Sequence, residues 1–181
     1  MSDQTKTTGA TELLRTQHEK VKTMFAELFE ATDDHRRQLF DCLRATLAAH
    51  ETAEEMVVYP KARSEGGGDI VDRRVKEEDE AKQALAELEK LDTNGAPFDA
   101  KIHAFHEDVL RHATAEETEL FPVLEQKCSA EELAKMADRI LTAEKMAPTH
   151  AHPHGPNSAV GNMLVGPFAA MVDKVRDALR S

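Results

Sequence analysis

The segment HETAEEMVVYP occupies positions 50–60, and HATAEETELFP occupies positions 112–122. Six of the eleven positions are identical, and Val58/Leu120 and Tyr59/Phe121 exchange like for like. Each word sets a histidine four residues before a glutamate, which puts both side chains on one helix face a turn apart. Each word also ends in proline. Two copies 62 residues apart point to a duplicated unit, and the rest of the chain is read outward from them.

On either side of each word, apolar residues recur at steps of three or four, the spacing of a buried helix face. The stripe through the first word is Leu39, Leu43, Leu47, His50, Glu54, Val57; through the second it is Ile102, Phe105, Val109, His112, Glu116, Leu120. Two further stripes are Leu14, His18, Val21, Phe25, Leu28 and Val71, Val75, Glu78, Ala81, Leu85, Leu88. Each is interrupted near its middle by histidine or glutamate. A second repeat supports the duplication: Lys22, Ala26, Glu27 and Leu28 recur as Lys82, Ala86, Glu87 and Leu88, and that shift of 60 sets His18 on Glu78.

These stripes predict helices over 11–31 with Thr11 as N-cap, 33–63, 69–91, 97–127, and a fifth to Met146 opened by a Ser129/Glu132 capping box. SEGGG (64–68) and DTNGAP (92–97) are breaks. The fold class is therefore all-α: an up-down-up-down four-helix bundle made from a duplicated helical hairpin, with the later helices packed outside it. Residues 1–10 read as a disordered N-terminus and 11–127 as the bundle. Residues 128–181 hold the fifth helix, a His/Pro-rich linker and a short terminal helix over 164–179.

Counting roughly 1.5 Å of rise per residue from the turn end, His18, His50, Glu78 and His112 all fall about 21–26 Å along the bundle. With Glu54 and Glu116 they make six ionisable groups at one depth in a core. Burying them without partners would cost several kcal/mol each, and charges in a core are paired or bind metal. Three imidazoles and three carboxylates match a site for two transition-metal ions, iron or manganese rather than zinc.

The composition narrows the setting. The chain has 181 residues, 31% charged, with a formal net charge of −11. That charge opposes nucleic acid phosphates and anionic lipid, so neither is expected as a partner. No apolar segment is long enough to span a bilayer and the start reads as no signal, so a cytoplasmic location is the expectation. Cys42 and Cys128 lie far apart along the bundle and have no metal-ligand spacing, so no disulfide is expected between them.

His18, His50 with Glu54, position 78, and His112 with Glu116, followed by Pro60 and Pro122, resemble the hemerythrin-like (HHE cation-binding) domains over about 11–127. The resemblance implies a four-helix bundle with a non-heme di-iron centre, an oxo- or hydroxo-bridged pair of iron ions. It implies a small ligand: dioxygen, hydrogen peroxide or nitric oxide. Its ligand positions map to His18, His50, Glu54, Glu78, His112 and Glu116. The family usually has histidine where this chain has Glu78, which turns the expectation from oxygen carriage toward redox chemistry, peroxide breakdown or iron oxidation. The alternative is an oxygen- or iron-sensing or storage module without catalysis. The expected assembly is a monomer or homodimer.

Several residues read as bystanders. Glu51 is an occasional extra carboxylate beside His50, weakened by its repeat partner Ala113. Tyr59, five residues past Glu54, reads as pointing sideways. His103 and His106 read as surface or helix-contact residues. His150, His152 and His154 read as part of an extended linker.

Overall fold

The computed structural model describes residues 8–147, and among them all regular structure is helical. The His150/His152/His154 segment and the expected helix over 164–179 lie outside the described residues. Four long helical rods form the bundle. The first is α1 (Ala10–Glu30). The second is α2 (Asp33–Ala53), carried on through a π-helical turn (Glu54–Val58) into α3 (Tyr59–Ser64). The third is α4 (Gly68–Leu88). The fourth is α5 (Ala96–Ala115), carried on through a second π-helical turn (Glu116–Leu120) into α6 (Phe121–Lys127).

The π turns were not expected from the sequence, and the prolines account for them. Pro60 and Pro122 have no N–H to donate, and in an α-helix the ring meets the carbonyl four residues back. Widening the preceding turn by one residue relieves both problems. Accordingly, the Tyr59 N–H donates to the Glu54 carbonyl and the Phe121 N–H to that of Glu116, each five residues back.

Both hairpin turns at one end of the bundle are joined. Asp33 adopts φ 54°, a left-handed conformation that aspartate tolerates better than most residues, and its N–H donates to Asn94 Oδ1 at 2.9 Å. At the other end the α3–α4 break depends on Gly66 at φ 95°, and the Gly67 N–H closes it on the Ala62 carbonyl at 2.8 Å. The N-cap of α1 is Gly9 rather than Thr11, and Ala10 is fully buried, so the ordered bundle starts one residue before the expected boundary.

The fifth helix, α7 (Ala130–Met146), opens with the Ser129/Glu132 capping box. Its Met136, Ile140 and Ala143 pack into the same apolar cluster as Ala10, Leu14, Ala53, Val58 and Leu124. A boundary at 127/128 therefore cuts through a shared core. A second cluster, built on Val21, Phe25, Leu43, Leu47, Leu85, Leu88, Ile102 and Phe105, fills the turn end. Burial of a large apolar side chain stabilises by about 1.5–3 kcal/mol, and five phenylalanines are completely buried. Between the two apolar clusters lies a polar layer.

Candidate metal centre

The polar layer contains all six residues singled out by the stripes. His18, His50, Glu54, Glu78 and Glu116 are buried, with both Glu54 and Glu116 at 0% exposure. The acidic run at 76–80 would ordinarily be a solvated face. Only Glu78 of its carboxylates is buried, because Val71, Leu85 and Leu88 share its side of α4.

The donor atoms fall into two overlapping groups. His18, His50, Glu54 and Glu116 offer one atom each within 4.8 Å of one another, and so do Glu54, Glu78 and His112. Glu54 belongs to both.

Each histidine is held from behind. The Nδ1–H of His18 donates to Glu117 Oε1 at 2.8 Å, that of His50 to Gln17 Oε1 at 2.8 Å, and that of His112 to Glu77 Oε2 at 2.9 Å. These bonds fix the tautomer and turn all three Nε2 atoms inward, as outer carboxylates and amides do for metal-ligating histidines. Inside, the Nε2 atoms meet carboxylates: His18 to Glu116 at 3.4 Å, His50 to Glu54 at 3.3 Å, His112 to Glu116 at 3.6 Å. These separations are longer than an N–H···O hydrogen bond, so the inward Nε2 atoms and carboxylate oxygens face one another unbonded. Among the described residues, His18 Nε2, His112 Nε2, both oxygens of Glu54, Glu78 Oε2 and Glu116 Oε2 are buried with no hydrogen-bond partner. A cation among them satisfies every one of these atoms. The residues fit a metal.

The electrostatics agree. Burial, reinforced by His18, pushes His50 down to about 3, so its imidazole is neutral. Burial and the neighbouring Glu116 and Glu78 carboxylates hold Glu54 well above the usual carboxylate range. Glu78 is likewise raised by burial and by Glu51. Burial opposes ionisation of Glu116 too, but His112, His18 and His50 outweigh it and draw Glu116 down to about 2.

Tyr59 corrects the sequence reading. Its hydroxyl bonds to Glu78 and to Glu116 Oε1, the latter at 2.9 Å. On an α-helix a residue five positions on lies about 140° around the axis. The π turn takes up the extra residue and swings Tyr59 onto the Glu54 face. Its repeat counterpart Phe121 is swung the same way and stacks on the His18 ring at 5.8 Å. Glu51 is also buried, and burial raises it to about 7. By contrast, His103 and His106 pack on Phe29 and Phe25 of α1, away from the cluster.

A cavity of about 70 Å³ adjoins the layer, lined by His18, His50, Glu51, Glu78 and His112 on the polar side and by Val21, Leu47, Ala81 and Val109 on the apolar side. That is room for a few water-sized molecules.

Comparison with known proteins agrees with this geometry. The Hemerythrin HHE cation binding domain matches residues 9–124. The chain belongs to that family. An uncharacterized hemerythrin-like protein of Schizosaccharomyces pombe is 33% identical over 136 residues, covering 74% of this chain and 67% of the relative. A protein named DNA nickase from Nostoc sp. is 27% identical over 134 residues, but the match spans only 38% of its length. The crystal structure of a Hemerythrin HHE cation binding domain-containing protein from Mycobacterium kansasii has the same fold. Its TM-score is 0.69 at 23% identity, covering 76% of this chain and 85% of that one. The family accounts for the cation-binding cluster. Among the described residues, no helix is long and apolar enough to cross a membrane.

Gln17, Glu77 and Glu117 escaped the sequence reading because polar residues beside a ligand look solvated. Their signal is the duplication: Gln17 and Glu77 correspond at the shift of 60, and each supports the histidine of the neighbouring rod.

Proposed function

We propose that the chain is a non-heme di-iron hemerythrin-like protein whose cluster binds and reacts with a small oxidant or diatomic ligand, with peroxide breakdown the favoured reaction. The observation that carries the reading is the set of buried inward atoms without hydrogen-bond partners, with every histidine anchored outward through Nδ1. His18, His50, Glu54 and Glu116 would hold one ion, and His112, Glu54 and Glu78 the other. Two bound iron ions would supply electron exchange and open coordination positions.

The chain's own residues do the rest. Gln17, Glu77 and Glu117 orient the imidazoles. Val21, Leu47, Ala81 and Val109 give the cavity an apolar wall, while Asp108 and Arg111 line its solvent side, so a small ligand such as dioxygen, nitric oxide or peroxide can enter. The Tyr59 hydroxyl holds its proton between Glu78 and Glu116. Burial and the Glu116, Glu78 and Glu54 carboxylates hold this phenol well above its ordinary value, so it keeps its proton and acts as a hydrogen-bond donor beside the cluster. The nickase name stays with the longer relative that carries it.

Metal analysis with absorption spectra before and after addition of peroxide, dioxygen and nitric oxide tests the reading. The expected result is close to two irons per chain, near-ultraviolet absorption typical of ferric pairs, and peroxide consumption. Zinc-only protein from iron-replete cells would overturn it. Two irons with reversible spectral change and no peroxide consumption would assign a sensing or storage role instead.

A further inference from the structure

We infer that Glu78 makes the two metal positions unequal: the position of His18, His50, Glu54 and Glu116 binds first and tightly, and that of His112, Glu54 and Glu78 is a weaker, hard-cation position. The inference rests on the two-ion reading above.

The duplication supplies an internal control. At shifts of 60 and 62, Gln17 corresponds to Glu77, His18 to Glu78, Lys22 to Lys82, and Glu55 to Glu117. One of the correspondences holds its role, and the other three change together. Gln17 and Glu77 each accept from a histidine on the neighbouring rod. Glu117 accepts from His18 Nδ1. Its counterpart Glu55 faces a glutamate at position 78, which has no ring nitrogen to offer, and Glu55 pairs with Lys82 Nζ at 2.8 Å. Lys82 also stands 4.0 Å from Glu78 Oε2. Its counterpart Lys22 sits 42% exposed on an outward pair with Glu19, whereas Lys82 is drawn in to 17%.

This rearrangement keeps the local charge and changes the ligand type. A glutamate in place of a neutral histidine adds one negative charge, and the inward lysine adds one positive charge. What remains is a donor set of two imidazoles and two carboxylates at one position, against one imidazole and two carboxylates at the other. Imidazole favours iron and the later first-row ions, while a carboxylate-rich set suits harder ions such as manganese(II). The second position has one imidazole, His112 backed by Glu77, where the first has two, His18 backed by Glu117 and His50 backed by Gln17, so the asymmetry lies in the number of imidazoles and not in their outer support. The lysine beside Glu78 further opposes an incoming cation.

The test is equilibrium dialysis of the metal-free protein against graded iron(II) or manganese(II) without oxygen, with bound metal counted per chain and manganese followed by electron paramagnetic resonance. The expected result is two resolved steps, with the first step preferring iron over manganese more strongly than the second. Glu78→His restores an imidazole to which Glu55 can bond, and should bring the two steps together. Glu78→Gln keeps the volume and should remove the second step while leaving the first. Two ions binding wild type at one affinity would overturn the inference while sparing the two-ion reading. So would a separation that Glu78→His leaves unchanged, because ion–ion repulsion alone would then explain it. Fewer than two ions at saturation would overturn the two-ion reading and the inference with it.

Discussion

The two eleven-residue words share a backbone and differ in what they present to the centre. Each supplies a histidine and a glutamate, and each widens to a π turn ahead of its proline. The same turn delivers a tyrosine hydroxyl to the carboxylates in one word and a phenylalanine ring to His18 in the other. The first word adds the buried Glu51 where the second has Ala113. Its Glu55 meets a lysine where Glu117 meets a histidine. The identical residues build the cage, and the differing ones make one side of it acidic and protic and the other aromatic.

The largest break in this comparison comes from Glu54, which sits in both donor groups. Glu54→Gln is expected to abolish binding of both ions. It should also raise the melting temperature of the metal-free protein by about 3–5 °C, because a strained buried carboxylate is gone. Metal analysis and thermal unfolding check both halves. His18→Ala, present in one group only, should cost one ion and spare the other.

Metal removal comes next. In the metal-free protein the pKa values of Glu54 and Glu78 are raised above their unfolded value by burial. A carboxyl raised in the folded state binds more protons folded than unfolded, so folding loses stability as pH climbs from the unfolded value of about 4.3 toward the folded one. Metal-free protein should therefore melt lower at pH 7 than at pH 5, and loading with iron should flatten that slope. Melting curves at several pH values, with and without iron, are the measurement. An iron-loaded slope as steep as the metal-free one would mean that no ion replaces those protons.

Making the words alike should cost less. Tyr59→Phe removes the hydroxyl from Glu78 and Glu116 and is expected to destabilise the metal-free fold by about 1–3 kcal/mol, read by denaturant unfolding. The smallest effect should come from α7. Gln17 Nε2 donates to Glu144 Oε1 at 2.7 Å while its Oε1 accepts from His50. Glu144→Ala should loosen His50 at one remove and weaken metal binding a few-fold at most; an unchanged affinity would confine α7 to packing.

How much of this was legible in the sequence follows from period and from the internal repeat. Glu78 was picked from an acidic run because the shift of 60 sets it on His18, and the structure buries it there on the side of Val71, Leu85 and Leu88. The bundle, the capping box at Ser129 and both words followed from spacing alone. Tyr59 was misread because a period of 3.6 carries it away from Glu54, and only the π turn brings it back. The prolines were visible, but their usual meaning is a helix end or kink, not an inserted residue. The fifth helix was read as packed outside the four-helix bundle, and it lies there against α1 and α2; spacing gave no sign that its Met136 and Ile140 share a core with Ala10 and Leu14.

The most direct test of the central claim is anomalous diffraction at the iron edge from crystals of iron-loaded protein. The account predicts two peaks between the four rods, one ringed by His18, His50, Glu54 and Glu116, the other by His112, Glu54 and Glu78. Iron found elsewhere, at His103 and His106 or among His150, His152 and His154, with none in the polar layer, would contradict it.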